Sequence, residues 1–244
     1  MKLAVVVPCY NEQEVLKETS TRMLALLGDL IGKNKISRES KIVFIDDGSS
    51  DNTWSIIQEL CDSSLTVAGI RLSRNHGHQN ALLAGLFTVQ GDALVSIDAD
   101  LQDDIQVIEE MVDAYKQGID VVYGVRKSRE SDSFFKRFTA QSFYRVISFL
   151  GAEAIYNHAD YRLMSRRAIE ALKQFEEVNL FLRGMVPLIG FNSKIVYYDR
   201  NDRFAGESKY PLKRMVGLAL DAITSFSVVP LRIITLIGFL TFLC

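Results

Sequence analysis

Three runs of near-continuous apolar residues, at 2–8, 41–45 and 67–73, each lead into a polar loop and then into a segment whose apolar positions recur at helical spacing. Strands apolar on both faces, alternating with amphipathic helices, predict a mostly parallel sheet covered on both sides, hence an α/β fold. The first strand runs into Cys9-Tyr-Asn-Glu12, where Asn11 is a candidate helix N-cap. The second ends in Asp46-Asp-Gly-Ser-Ser-Asp51, ahead of a helix through Trp54, Ile57 and Leu60. The third ends in Arg74-Asn-His-Gly-His-Gln79, ahead of a helix over 80–89. Ligands of such sheets bind beyond the carboxyl ends of the strands, so these loops are where chemistry is expected.

A fourth strand delivers Ser96-Ile-Asp-Ala-Asp-Leu-Gln-Asp103 to the same edge. Side chains at i and i+2 of a strand share a face, so extended geometry carried through this loop puts Asp98 and Asp100 on one side. Hard carboxylate oxygens suit Mg²⁺ or Mn²⁺, ions that keep positions open for phosphate oxygens. An isolated Asp-x-Asp is as readily a polar turn. Here the neighbouring motifs favour the metal reading.

Further along, residues 118–126 read as a strand whose end projects Arg126, and 131–151 as an amphipathic helix rich in aromatics, among them Phe134, Phe138 and Phe143. Asp160-Tyr-Arg-Leu-Met164 reads as a short strand with an acid at its start, followed by a helix entered at Ser165. A last strand is expected over 194–199. Beyond it, 201–210 is a polar loop bearing Arg203 and Lys209, of the kind that can close over a bound substrate.

Five of these motifs, in order and spacing, resemble the family 2 inverting glycosyltransferases of the GT-A fold: Pro8-Cys-Tyr-Asn-Glu12, Asp46 to Asp51, Ser96 to Asp103, Asp160 to Met164 and Arg203-Phe-Ala-Gly-Glu-Ser-Lys209. The resemblance spans roughly residues 1–230 and is strongest to the polyprenyl-phosphate transferases, the bactoprenol glucosyltransferases and dolichol-phosphate mannose synthases. It implies a catalytic domain over 1–210 and a juxtamembrane appendage over 211–244. Two stretches depart from the expected pattern: Asn75-His-Gly-His-Gln-Asn80 stands where a lysine and an acid are expected, and Asn157-His-Ala159 precedes Asp160.

The resemblance also assigns roles. Pro8, Tyr10, Glu12, Asp47 and Asp98 are implied nucleotide contacts, and Asp98, Asp100 and Gln102 are implied to hold Mg²⁺ or Mn²⁺ against the departing diphosphate. Arg126, Arg137, Arg162, Arg203, Ser208 and Lys209 are candidates for phosphate or acceptor binding. Asp160 matches the family's catalytic acid, usually a general base. A lipid phosphate is already anionic, so with that acceptor Asp160 positions the nucleophile or orients Arg162. The implied partners are a nucleotide-sugar donor, with UDP-glucose the first choice, and undecaprenyl phosphate. N-acetylglucosamine, galactose and GDP-mannose donors stay open, as do a saccharide hydroxyl as acceptor and a non-catalytic sugar-nucleotide-binding role.

Composition narrows this further. With 28 basic and 30 acidic residues, a net charge of −2 speaks against a nucleic-acid partner. Three scattered cysteines make neither a disulfide framework nor a zinc cluster. His76, His78 and His158 read as loop or structural residues. Opening directly on a strand speaks against a cleavable signal peptide. The apolar run after Ser225 carries only Arg232 and reads as the start of a transmembrane helix continuing past the chain's last residue, with Lys209, Lys213, Arg214 and Arg232 toward anionic headgroups. The expectation is a cell-membrane protein with its catalytic domain in the cytoplasm; a homo-oligomer is compatible with the sequence.

Overall fold

The computed structural model describes residues 1–127, 158–175, 182–199, 234–235 and 238–242. By compactness the chain falls into two units: Met1–Ser128, Asn157–Glu176 and Ile189–Glu207 form the first, and Arg129–Tyr156, Glu177–Leu188 and Ser208–Cys244 the second. The first unit carries a seven-stranded sheet. Its strands are β1 (Leu3–Cys9), β2 (Lys41–Asp46), β3 (Val67–Arg71), β4 (Ala93–Ser96), β5 (Val121–Arg126), β6 (His158–Ser165) and β7 (Ser193–Tyr198), in the order β3-β2-β1-β4-β6-β5-β7. All neighbours pair in parallel except β6, which runs antiparallel to both β4 and β5.

Every residue of β1 is buried, as expected of a central strand covered on both faces. Leu3, Val5 and Val7 join a cluster with Leu16, Met23, Leu27 and Leu30 from α1 (Leu16–Gly32); full burial of each such side chain contributes about 1.5–3 kcal/mol. Three further helices follow strands in turn: α2 (Thr53–Ser63), α3 (His78–Thr88) and α4 (Val107–Lys116). Gly85 of α3 has no room for a β-carbon against Val6 and Ile45, so α3 lies close on β1 and β2. The short α5 (Arg166–Leu172) is capped by Ser165, whose hydroxyl accepts from Ala168 N–H at 3.2 Å.

Asn11 is not a helix cap. Helix α1 begins at Leu16, while Asn11 adopts φ +54° and its Oδ1 accepts from Ser50 N–H at 2.8 Å. The side chain therefore ties the first motif loop to the second. Of the second unit, α6 (Leu182–Leu188) and helical residues 234–235 and 238–242 are described. Ile234, Phe239, Leu240 and Phe242 are exposed. Among the described residues no helix is long and apolar enough to cross a membrane. The aromatic helix at 131–151, the loop at 201–210, and Arg137, Arg203, Ser208, Lys209, Lys213, Arg214 and Arg232 lie outside the described residues.

Candidate active site

The carboxyl ends of β1, β2 and β4 and the first residues of β6 bring acids together within the first unit. Asp46 and Asp47, at the end of β2, are both buried but serve different partners. Asp46 accepts from Ser49 N–H at 3.1 Å and lies 3.4 Å from the Arg71 guanidinium. Asp47 turns to the third motif loop, accepting from His76 N–H at 2.7 Å and Gly77 N–H at 2.9 Å. Two glycines make this clasp possible. Gly48 has φ +65° and a side chain there would collide with the backbone of Arg74 and Asn75, while Gly77 turns into α3 with φ +89°. The nucleotide role implied for Asp47 thus meets a carboxylate whose two oxygens already hold backbone amides.

Pro8 is buried at the end of β1, and Tyr10 and Glu12 are half-buried on the loop after it. Thr53 and Ser49 hold that loop by accepting from Glu12 N–H at 2.8 Å and Asn11 N–H at 2.9 Å. Cys9 sits beneath it. Burial, then the charges of Glu12, Asp46, Asp98 and Asp51, push its thiol well above the ordinary range, so it is no nucleophile near neutral pH.

The Asp-x-Asp loop corrects one expectation. Strand β4 stops at Ser96, and the chain turns at 99–100 before Leu101, which takes φ +57°, so strand alternation does not place Asp98 and Asp100. A buried non-glycine residue in that conformation costs on the order of 1 kcal/mol and is held by the surrounding packing. Asp100 is buried, and its Oδ1 accepts from Gln102 N–H at 3.2 Å. Gln102 thereby contributes its backbone to the turn. Burial first, then the charges of Asp103, Asp100 and Asp160, raise the Asp98 carboxyl to about 6, with His78 opposing them. Its side chain is 39% exposed, so the desolvation is that of a recess wall, not of the core.

Asp160 is buried and bonded through Oδ1 to Arg162 at 2.7 Å. Ser96 Oγ donates to the Asp160 carbonyl at 2.5 Å, pinning β6 to the end of β4. Arg162 is only 1% exposed. It anchors Asp160 from within the sheet, which corrects the expectation that it faces phosphate or acceptor. Arg126 is also engaged: Asp103 accepts from its guanidinium at 3.1 Å and from Tyr198 hydroxyl at 2.5 Å. Tyr161 crosses the Tyr198 ring edge-on at 5.3 Å, and its hydroxyl donates to the Asp104 carbonyl at 2.9 Å. This network fastens the loop after Asp100 to β5, β6 and β7.

Three site residues were missed in the sequence: Asp103 and Tyr198, which hold Arg126, and His78, read as a loop residue. His78 Nε2 lies 3.5 Å from Asp98 Oδ1 and 3.6 Å from Asp160 Oδ2. The departure from pattern at 75–80 was the available signal.

Among the described residues no group of three or more His, Cys, Asp or Glu side chains is arranged to hold a metal ion alone. The donor set still fits a hard divalent cation. Mg²⁺ and Mn²⁺ use one or two carboxylates with water and substrate phosphate oxygens, and the like charges crowding Asp98 are what such a cation relieves.

The family model described as glycosyl transferase family 2 matches residues 4–173. An uncharacterised glycosyltransferase of Bacillus subtilis, YkoT, is 53% identical over 98% of this chain and 72% of its own length. A prophage bactoprenol glucosyl transferase homolog of Escherichia coli is 40% identical over 98% of this chain and 76% of its own. Glucosyl-3-phosphoglycerate synthase of Mycobacterium tuberculosis, solved with Mn²⁺, UDP-glucose and phosphoglyceric acid, superposes with a TM-score of 0.61 at 16% identity, covering 92% of this chain and 78% of that one. The shared architecture is the GT-A fold.

Proposed function

The chain belongs to glycosyl transferase family 2, and from that premise we propose that it transfers a hexose, glucose first among candidates, from a UDP-sugar to undecaprenyl phosphate with inversion. The observation that carries the reading is the convergence of Asp98, Asp100 and Asp160 at one end of the sheet, where burial and then the neighbouring acids hold the Asp98 carboxyl at about 6. The acceptor class is supported by relatives of 40% identity named bactoprenol glucosyl transferase. A membrane setting on the cytoplasmic face is part of the proposal; the exposed apolar Ile234, Phe239 and Phe242 are compatible with contact to a bilayer from either face.

In this reading Asp98 and Asp100 would hold Mg²⁺ or Mn²⁺, which when bound would supply positive charge against the departing UDP. Pro8, Tyr10 and Glu12 line the nucleotide pocket, and Asp47 shapes it through the loop it clasps. Asp160 stands on the acceptor side. Asp160 is paired with Arg162, and an acceptor phosphate already carries an anionic oxygen near neutral pH, so attack needs no proton taken from it. Asp160 therefore orients the incoming oxygen in line with the departing diphosphate.

The test is transfer of label from UDP-glucose, UDP-N-acetylglucosamine, UDP-galactose or GDP-mannose into undecaprenyl phosphate, in detergent with Mg²⁺ or Mn²⁺. Label entering the organic phase with one donor is the expected result and names the sugar. Nucleotide binding without lipid labelling points instead to a saccharide hydroxyl and gives Asp160 a proton to remove.

A further inference from the structure

The proposed function leaves open how donor-side and acceptor-side carboxylates, carried by different segments, are kept in register. Asp98 lies on the turn after β4, whereas Asp160 is on β6. His78 is the first residue of α3 and is 29% exposed. Its ring stands on a fixed base, because Asp47 grips the two amides before it and Gly77 sets the turn. From there Nε2 lies nearly equidistant from Asp98 Oδ1 and Asp160 Oδ2, at 3.5 and 3.6 Å.

We infer that His78 is a positioning residue that yokes the donor-side carboxylate Asp98 to the acceptor-side carboxylate Asp160, an inference that rests on the glycosyl-transfer reading of this site. Both separations exceed an ideal hydrogen bond by about half an ångström, and catalytic hydrogen bonds in ligand-free sites are often long and tighten when substrates bind. A metal-bound diphosphate on the Asp98 side and a nucleophile beside Asp160 must meet at one carbon, and misplacement by about 1 Å costs on the order of a hundredfold in rate. Loss of the imidazole leaves the donor's binding groups in place and degrades their aim.

The experiment compares wild type, His78→Ala and His78→Gln in the full chain, with kcat for transfer and calorimetric binding of UDP with Mn²⁺. The expected result is a kcat about thirtyfold lower for His78→Ala, affinity for UDP with Mn²⁺ within about threefold, and recovery of most of the rate by His78→Gln, whose amide keeps an N–H donor at similar reach. Melting temperatures add a readout that needs no acceptor: the shift caused by His78→Ala shrinks by half or more in an Asp160→Asn background. A wild-type rate for His78→Ala, rate and binding lost in parallel without rescue by His78→Gln, or equal melting shifts in both backgrounds overturns the inference. Should wild type move no sugar onto polyprenyl phosphate, the lipid-acceptor reading fails, and the melting cycle still decides the role of His78.

Discussion

Asp98 and Asp120 stand at opposite ends of one sheet, the first just past β4 and the second just before β5. Asp120 is buried and fully served. Arg167 closes on both its oxygens and Ser165 Oγ donates at 2.8 Å, so the carboxyl lies below the ordinary range, chiefly through Arg167. Asp98 is pushed the other way, to about 6, by burial and by three more acids. One end of the molecule has finished its electrostatics and the other has left them incomplete. Opposed shifts of this kind separate a carboxylate that stabilises the fold from one whose charge is held ready for a ligand.

Substitutions at the two ends should therefore separate activity from stability. Asp100→Ala is expected to lower transfer by about a thousandfold with little change in melting temperature; initial rates above a tenth of wild type would mean the acidic end is not the reactive one. Asp160→Asn should lower transfer by about a hundredfold or more while calorimetry finds binding of UDP with Mn²⁺ unchanged. At the opposite end, Asp120→Ala is expected to cost about 2 kcal/mol in urea unfolding and leave kcat per folded molecule at the wild-type value. A matching fall in kcat would erase the contrast.

The smallest effect is a difference in pH slope. The Asp98 pKa is raised by folding, so its contribution favours the fold when protonated and is lost as pH rises through about 6. Asp98→Asn should accordingly be more stable than wild type above that pH, by on the order of 1 kcal/mol after allowance for solvent exposure, and indistinguishable below the ordinary carboxylate range. The Asp120 pKa is depressed, so its contribution is present at neutral pH and is lost as pH falls through its folded value. Chemical denaturation across pH distinguishes these opposite slopes. Binding of Mn²⁺ with UDP should weaken as pH falls below about 6, where protons compete for Asp98.

The apolar runs made much of the sheet legible, because strands buried on both faces must be apolar throughout, and six of the seven strands share one direction. The reversal of β6 was not legible, since strand direction depends on pairings such as Ser96 with Arg162 and Tyr123 with Arg162 that composition does not encode. Asp98, Asp100 and Asp160 announced themselves as acids at strand ends. Arg162 read as a ligand contact because a charge on a short strand looks exposed until its neighbours are known. His78 read as a loop residue because its partners lie 20 and 82 positions away along the chain. Asn11 misled for a related reason: its partner, Ser50, belongs to another loop, so a local rule for helix starts had no bearing on it.

The Asp47 clasp makes the third loop a socket. Its grip is on the main chain of His76 and Gly77, and a carboxylate that reads amides is indifferent to the side chain that position 76 or 78 displays. A substitution at 78 would remove the imidazole's function without rebuilding the turn that presents it, much as a tool is changed in a fixed holder. Position 77 is the exception, because its backbone conformation is itself part of the holder.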